Sequence, residues 1–207
     1  MADPKPKRRL AVNGDAHRLD DIFLAAAEMI CERGFDATSM KDIAEAVGMT
    51  KAGIYHYIPG KEELLYAIMD FAMGQLEANV ISPARLVEDP EARLSQIISS
   101  HVKLLTGPHR DRTFGHLSIL TDELGGLTPQ HRSEIVARKR AYLELVRETL
   151  AQMRDRGILK DVDANIGAFS LFGMIMWIAR WYRPGGTLKG EDLAEQIKLI
   201  ALNGLLK

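Results

Sequence analysis

Read for side chains able to do chemistry, the 207-residue chain offers none of the familiar catalytic arrangements. It has no Ser-His-Asp context, no glycine-rich phosphate loop and no His-Glu-x-x-His pair for zinc. His109, His116 and His131 are scattered with Glu123 and lack metal-ligand spacing. Enzymatic turnover is therefore not expected, and no cofactor is implied. The informative stretch is Met40–Tyr57, whose chemistry would be hydrogen bonding to a nucleic acid. Ile43 and Val47 are spaced to share one helix face, and Ala44 is small where a second helix must cross. Gly48 can reach the left-handed conformation of a tight helix exit. Met49 follows as an apolar plug, and Ile54 and Tyr57 give the next helix an inward face. This is the pattern of a helix-turn-helix. Its second helix protrudes, so that N-terminal residues reach base edges in the DNA major groove. The alternative is a short helical hairpin with no DNA role.

Such a motif needs elements to hold it. Asp20–Arg33 reads as a preceding helix with Phe23, Ala26, Ala27 and Ile30 on one stripe, stopped by Gly34. Ser39 and Asp42 form a capping box for the next helix. Pro59-Gly60 breaks the recognition helix, and a fourth helix begins near Lys61 with Glu62 and Glu63 in its first turn.

These residues carry a resemblance. The run Gly34-Phe35-Asp36-Ala37-Thr38-Ser39-Met40, then Asp42-Ile43-Ala44, Gly48, Gly53-Ile54-Tyr55-His56-Tyr57 and Lys61-Glu62-Glu63-Leu64-Leu65, closely resembles the DNA-binding domain of the TetR family of transcriptional repressors. The match covers about the first third of the chain. The resemblance implies that Thr38, Lys51, Tyr55 and Lys61 contact phosphates. It implies that Thr50, Gly53 and His56 lie near base edges. Pro59-Gly60 departs from the commoner pairing, which has Ser, Asn or Asp before the Lys. A side-chain hydroxyl contact is lost there, while Gly60 keeps a backbone amide.

Hydrophobic content of 46% indicates a globular core, and no uninterrupted apolar run is long enough for a membrane span. The N-terminus is basic but has no apolar run, so it is not a signal peptide. The one cysteine, Cys31, excludes an internal disulfide framework and suits a reduced, cytoplasmic setting. It is expected to be a small buried hydrophobe. A net charge of -1 excludes a bulk polycation. The charge is unevenly placed: Lys5, Lys7, Arg8, Arg9 and Arg18 face only Asp3 and Asp15 at the N-terminus. That arm either lies along phosphates or the minor groove, or is a solvated tail. Without DNA it should be disordered in both cases. The division expected is a flexible basic arm over 1–17, the helix-turn-helix domain over 18–62, and a ligand-binding and dimerisation domain over 63–207.

The remainder reads as helix, giving an all-α chain of about nine helices. Ser82-Pro83 is expected to end the fourth helix, and Asp89-Pro90 to start the fifth. The sixth runs roughly from His109 to Leu124. The seventh runs from Thr128-Pro129 to Arg156, the eighth from Asp163 to Arg183, and the ninth from about Lys189 to Leu206. The eighth is apolar on every face and must be buried all round. A second copy of the chain is the simplest cover, with Gly167 and Gly173 allowing close approach. A homodimer built on the eighth and ninth helices follows, and the TetR resemblance implies the same four-helix interface. Two recognition helices about 34–36 Å apart suit a palindromic double-stranded DNA operator.

A binding site for a small effector is expected in the core, from apolar residues with few polar groups. His101 lies within an apolar stripe. Phe114, Leu117 and Ser118 share helical spacing on the sixth helix, as do Phe169, Phe172, Met176 and Arg180 on the eighth. Trp177 flanks Arg180, and a buried guanidinium there needs Asp122, Glu123 or an anionic ligand. The same aromatics and methionines read equally as core or dimer contacts, and His101 as a satisfied core histidine. Leu171–Trp177 together with Arg180–Gly186 resembles the tail of a TetR subgroup that often answers to acyl-coenzyme A thioesters. That likeness implies an acyl chain in the apolar core. Its phosphates would be held by basic residues among Arg110, Arg112, Arg138, Arg140 and Arg147. The function expected is a ligand-responsive repressor, released from its operator when the effector acts through the fourth helix as hinge. The alternative is an architectural DNA-binding protein with no small ligand.

Overall fold

The structure is a computed structural model that describes residues 14–107, 119, 123–183 and 185–207. Among these the chain is all-α; Leu159 and Leu206 form an isolated antiparallel bridge. Eight helices follow in order. They are α1 (Gly14–Arg33), α2 (Met40–Ala46), α3 (Lys51–Tyr57), α4 (Lys61–Leu76), α5 (Pro90–Thr106), α6 (Pro129–Asp155), α7 (Ala164–Trp181) and α8 (Gly190–Leu205). The last three correspond to the predicted seventh, eighth and ninth. The basic arm up to residue 13 and most of the predicted sixth helix lie outside the described residues. With them go the candidate contacts Phe114, Leu117 and Ser118 and the candidate cations Arg110 and Arg112.

The first three helices pack around Ile22, Ala26, Ala27, Ile30, Ile43 and Ile54, all at most 2% exposed. α1 begins at Gly14, earlier than the expected Asp20. Cys31 is exposed, not buried. It follows Ile30, the last inward residue of the stripe, and one further residue turns a side chain about 100° away.

α4 is the rod shared by both halves. Leu64, Leu65, Ile68, Met69 and Ala72 are fully buried, each large side chain contributing about 1.5–3 kcal/mol by its removal from water. Pro83 does not end this helix. The rod continues as a π-turn over Glu77–Ile81 and a last α-turn over Ser82–Arg85. Proline lacks an N–H and crowds the carbonyl four residues back, which normally breaks a helix. Here the Ser82 N–H reaches back to the Glu77 carbonyl, widening the turn just before Pro83.

Beyond it, the predicted punctuation is in place. Asp89, Thr128 and Asp163 cap α5, α6 and α7 through side-chain oxygens, and Gly157 follows α6 with φ of 72°. α7 is buried on one side only: Gly167, Ala168, Leu171, Ile175 and Ile178 face the body of this chain. Ile166, Phe169, Trp177 and Trp181 are exposed, as are Leu199 and Ile200 on α8. No described helix is long and apolar enough to cross a membrane.

A candidate nucleic-acid interface coupled to an apolar cavity

The reading head is built by caps. Ser39 Oγ accepts the Asp42 N–H at 3.2 Å while the Asp42 carboxylate accepts the Ser39 N–H at 3.1 Å, closing the capping box at α2. The serine bonds hold the Asp42 carboxyl below its ordinary value. Gly48 turns the chain with φ of 67°. Thr50 then caps α3, its hydroxyl accepting the Gly53 N–H at 3.0 Å. A Cβ on Gly53 would lie 3.2 Å from that hydroxyl, so this glycine leaves room for the cap.

Ile54 is buried beneath α3 and Tyr57 half-buried, while Thr50, Lys51, Tyr55 and His56 face outward. Beside them lies a cleft of about 510 Å³ lined by Thr38, Lys41, Lys51, Tyr55 and Lys61, among others. All four residues expected at phosphates thus meet in one place. Lys61 is held at the rim, its Nζ donating to the Asp36 carbonyl at 3.3 Å and lying 4.1 Å from the Phe35 ring centroid. Thr38 differs from the other three. It is 1% exposed, and its hydroxyl donates to the Gly34 carbonyl at 3.0 Å, so it braces the cleft floor.

A second set of contacts ties this head to α6. Glu62, in the first turn of α4, accepts the Thr128 N–H at 2.8 Å and pairs with His131 Nδ1 at 2.9 Å. Burial opposes the charge on Glu62, but the Thr128 and His131 hydrogen bonds outweigh it and hold its pKa down. The bond to Glu62 raises His131. Tyr66 stacks on the His131 ring at 3.8 Å and donates to Glu134 at 2.7 Å, a bond that, with burial, pushes its phenol up to about 12. Arg138 reaches Asp70 at 2.7 Å, and Glu123 accepts the Phe35 N–H at 3.1 Å. Glu62, Glu63 and His131 place ligand atoms within 4.8 Å of one another, which is the nearest approach to a metal set among the described residues. His131 and Glu62 already satisfy each other. None of these pairs was evident in the sequence, where their members lie some 60 to 90 residues apart.

Behind this junction lies an apolar cavity of about 450 Å³. α4 contributes Met73 and Leu76, α5 His101, and α7 Phe169, Phe172 and Met176. α6 contributes Val136, Lys139, Arg140, Tyr142 and Leu143, and Leu124 closes one wall. His101, Phe169, Phe172 and Met176 are thus brought together as expected. Trp177 and Arg180 do not line the cavity. Both are exposed on α7, so within one chain Arg180 is not the buried guanidinium the sequence implied. They sit where the helix turns away from the chain's own body. Lys139 and Tyr142 were missed, although Val136, Tyr142 and Leu143 recur at helical spacing on α6. His101 is 1% exposed, and burial drives it down to about 4, so it is neutral. Its Nδ1 lies 3.1 Å from the Tyr142 hydroxyl; its Nε2 is buried without a partner.

The model of bacterial regulatory proteins of the tetR family matches residues 22–68, and that of the tetracyclin repressor-like C-terminal domain matches residues 87–205. The chain belongs to the TetR family. Among solved TetR structures, AibR in complex with isovaleryl coenzyme A and operator DNA is 36% identical. The likeness covers 91% of this chain and 98% of that one, with a TM-score of 0.77. The HTH-type transcriptional repressor KstR2 of Rhodococcus jostii is 28% identical over 200 residues, 93% of either chain. The fatty acid metabolism regulator protein of Bacillus subtilis is 28% identical over 156 residues, 74% of this chain and 77% of that one. KstR2 is a transcriptional repressor, and the N-terminal and C-terminal parts of the present TetR chain match the two family models in turn.

Proposed function

We propose that this TetR regulator is a repressor that binds a palindromic operator as a homodimer and is released by an acyl-coenzyme A thioester. The observation that carries the reading is one rod, α4, shared by two sites. Its first turn borders the phosphate cleft, and its later turns line the apolar cavity. Lys139 and Arg140 at the cavity suit an anionic end on an apolar ligand. AibR, which shares over a third of its residues with this chain, has been captured with such an ester and operator DNA. The exposed apolar face of α7 and α8 supports pairing of two copies through those helices. Release then follows if the ester favours a dimer whose reading heads are wrongly spaced.

The test is thermal melting of the purified protein with acyl-coenzyme A esters, the matching free acids and aromatic ligands, run beside release of a bound operator fragment. An ester at about a hundred times its Kd should stabilise the fold by about 2.7 kcal/mol and displace the DNA. A stabilising ester that leaves DNA affinity unchanged would overturn the reading, as would hydrolysis of the ester by the protein.

A further inference from the structure

His101 and Tyr142 form a polar pair in a cavity wall whose other polar side chains are Lys139 and Arg140. Both are buried, and both line the cavity. The neutral imidazole carries one hydrogen, and the two ways of placing it leave different groups unmet. If Nδ1–H donated to the phenol oxygen, the phenol hydrogen and the Nε2 lone pair would both lack a partner. If the phenol O–H donates to Nδ1 across their 3.1 Å separation, only Nε2–H is unmet. The second arrangement leaves one orphan where the first leaves two, and orphans are costly in an apolar wall. Nε2–H therefore stands as an unmet hydrogen-bond donor on a residue of the cavity wall, covered as the side chains now stand, so a ligand oxygen reaches it by displacing that cover.

We propose that the effector carries an oxygen acceptor, a keto or hydroxyl group, within its apolar acyl body, and that His101 selects for it through Nε2–H. This rests on the effector reading above. A saturated chain of equal size would fill the cavity and leave the donor unmet, whereas an oxygenated chain satisfies it. Selectivity of this kind is strong because the unpaired group is on the protein and every wrong ligand meets it. Tyr142 is a positioning residue: its O–H fixes the tautomer, and its ring meets Phe172 edge-on at 5.0 Å. Lys139 and Arg140 handle the anionic end of the same ligand, so the two polar features read different parts of it.

The experiment titrates operator release with hexanoyl-coenzyme A, 3-hydroxyhexanoyl-coenzyme A, 3-oxohexanoyl-coenzyme A and 5-oxohexanoyl-coenzyme A. It uses the wild type and the double variant His101→Leu/Tyr142→Phe, which removes both polar partners together and leaves no new orphan. The wild type should favour at least one oxygenated ester over hexanoyl-coenzyme A by about tenfold or more. In the double variant that ratio should fall to about one. A nitrogen-15 shift of the His101 ring in the wild type, seen with the favoured ester and absent with hexanoyl-coenzyme A, reports the same bond without relying on the variant. Equal response to all four esters overturns the inference and leaves the effector reading standing. So does equal weakening of all four in the variant, which would assign Nε2–H to the thioester carbonyl they share. A preference that survives in the double variant overturns it too. Binding of none of them removes the effector reading itself.

Discussion

Lys61 holds its ammonium at the cleft rim through a carbonyl and a ring face, a placement suited to a phosphate. His56 is exposed on the outer side of α3. Lys61→Ala should therefore weaken binding by a similar factor on every DNA sequence and lower the salt slope by about one per reading head. His56→Ala should alter which sequences are preferred and leave the slope alone. Fluorescence titration on operator and scrambled DNA at several salt concentrations separates the two. Gly48 offers a cleaner stability test. A Cβ there meets nothing within 4 Å, so Gly48→Ala loses only backbone freedom at φ of 67°. About 1–2 kcal/mol should be lost in urea unfolding, with no change in slope. At this scale the sequence is most legible where backbone geometry dictates the residue, as at Ser39, Gly48 and Thr50. It is least legible where burial decides. Arg180 is exposed in the single chain because α7 buries only one side against its own body.

Between elements the decisive contact is the first turn of α4 against the start of α6. Leu124 lines the cavity while its neighbour Glu123 holds the Phe35 amide. On α6, His131 and Glu134 grip α4, and Val136, Lys139, Arg140, Tyr142 and Leu143 line the cavity a turn or two later. Cavity and reading head are thus joined by short segments. Gly126 sits in that joint, where a Cβ would lie 2.6 Å from the Phe35 ring and 2.8 Å from Leu65. The joint also senses pH. His131 is stacked on Tyr66 and faces Glu62, Glu63 and Glu134, and its pKa is raised above the ordinary 6.5 chiefly by the bond to Glu62. A group raised on folding contributes fully below its unfolded value and loses its contribution as pH climbs through the folded one. The stability gap between wild type and His131→Gln should therefore be widest below the ordinary histidine value of 6.5 and shrink as pH rises above it, read by thermal melting on both sides of that value. A gap that widened with pH would mean the ring is neutral in the bridge. Helix ends at Asp89-Pro90, Thr128-Pro129 and Gly157 could be read from local punctuation. Pro83 misled because a π-turn absorbs a proline that sequence rules treat as a stop. The α4–α6 pairs left no trace, because a bond across 69 residues has no periodicity to betray it.

The whole molecule is unfinished on one side. α7 carries Phe169, Trp177 and Trp181 outward, with Trp177 at 65% exposure, and α8 adds Leu199 and Ile200. A patch of this size and character is rare on a protein that stays monomeric. Gly167 and Gly173 differ in what lies beside them. A Cβ on Gly167 would crowd Leu150 of the same chain at 3.1 Å, whereas one on Gly173 meets nothing within 4 Å. The first glycine serves the fold and the second is open to a partner. The proposed pairing makes binding to a palindrome bivalent, each head raising the effective concentration of the other. Trp177→Arg with Leu199→Arg places two charges on the exposed face and none in the described core. The pair should yield a folded monomer in sedimentation at micromolar concentration. Its affinity for a full operator should fall by about a hundredfold or more, towards that for a half-site. A variant that stays dimeric and keeps operator affinity would put the interface on another face. A monomer that keeps full affinity would remove the need for two-fold pairing in DNA recognition.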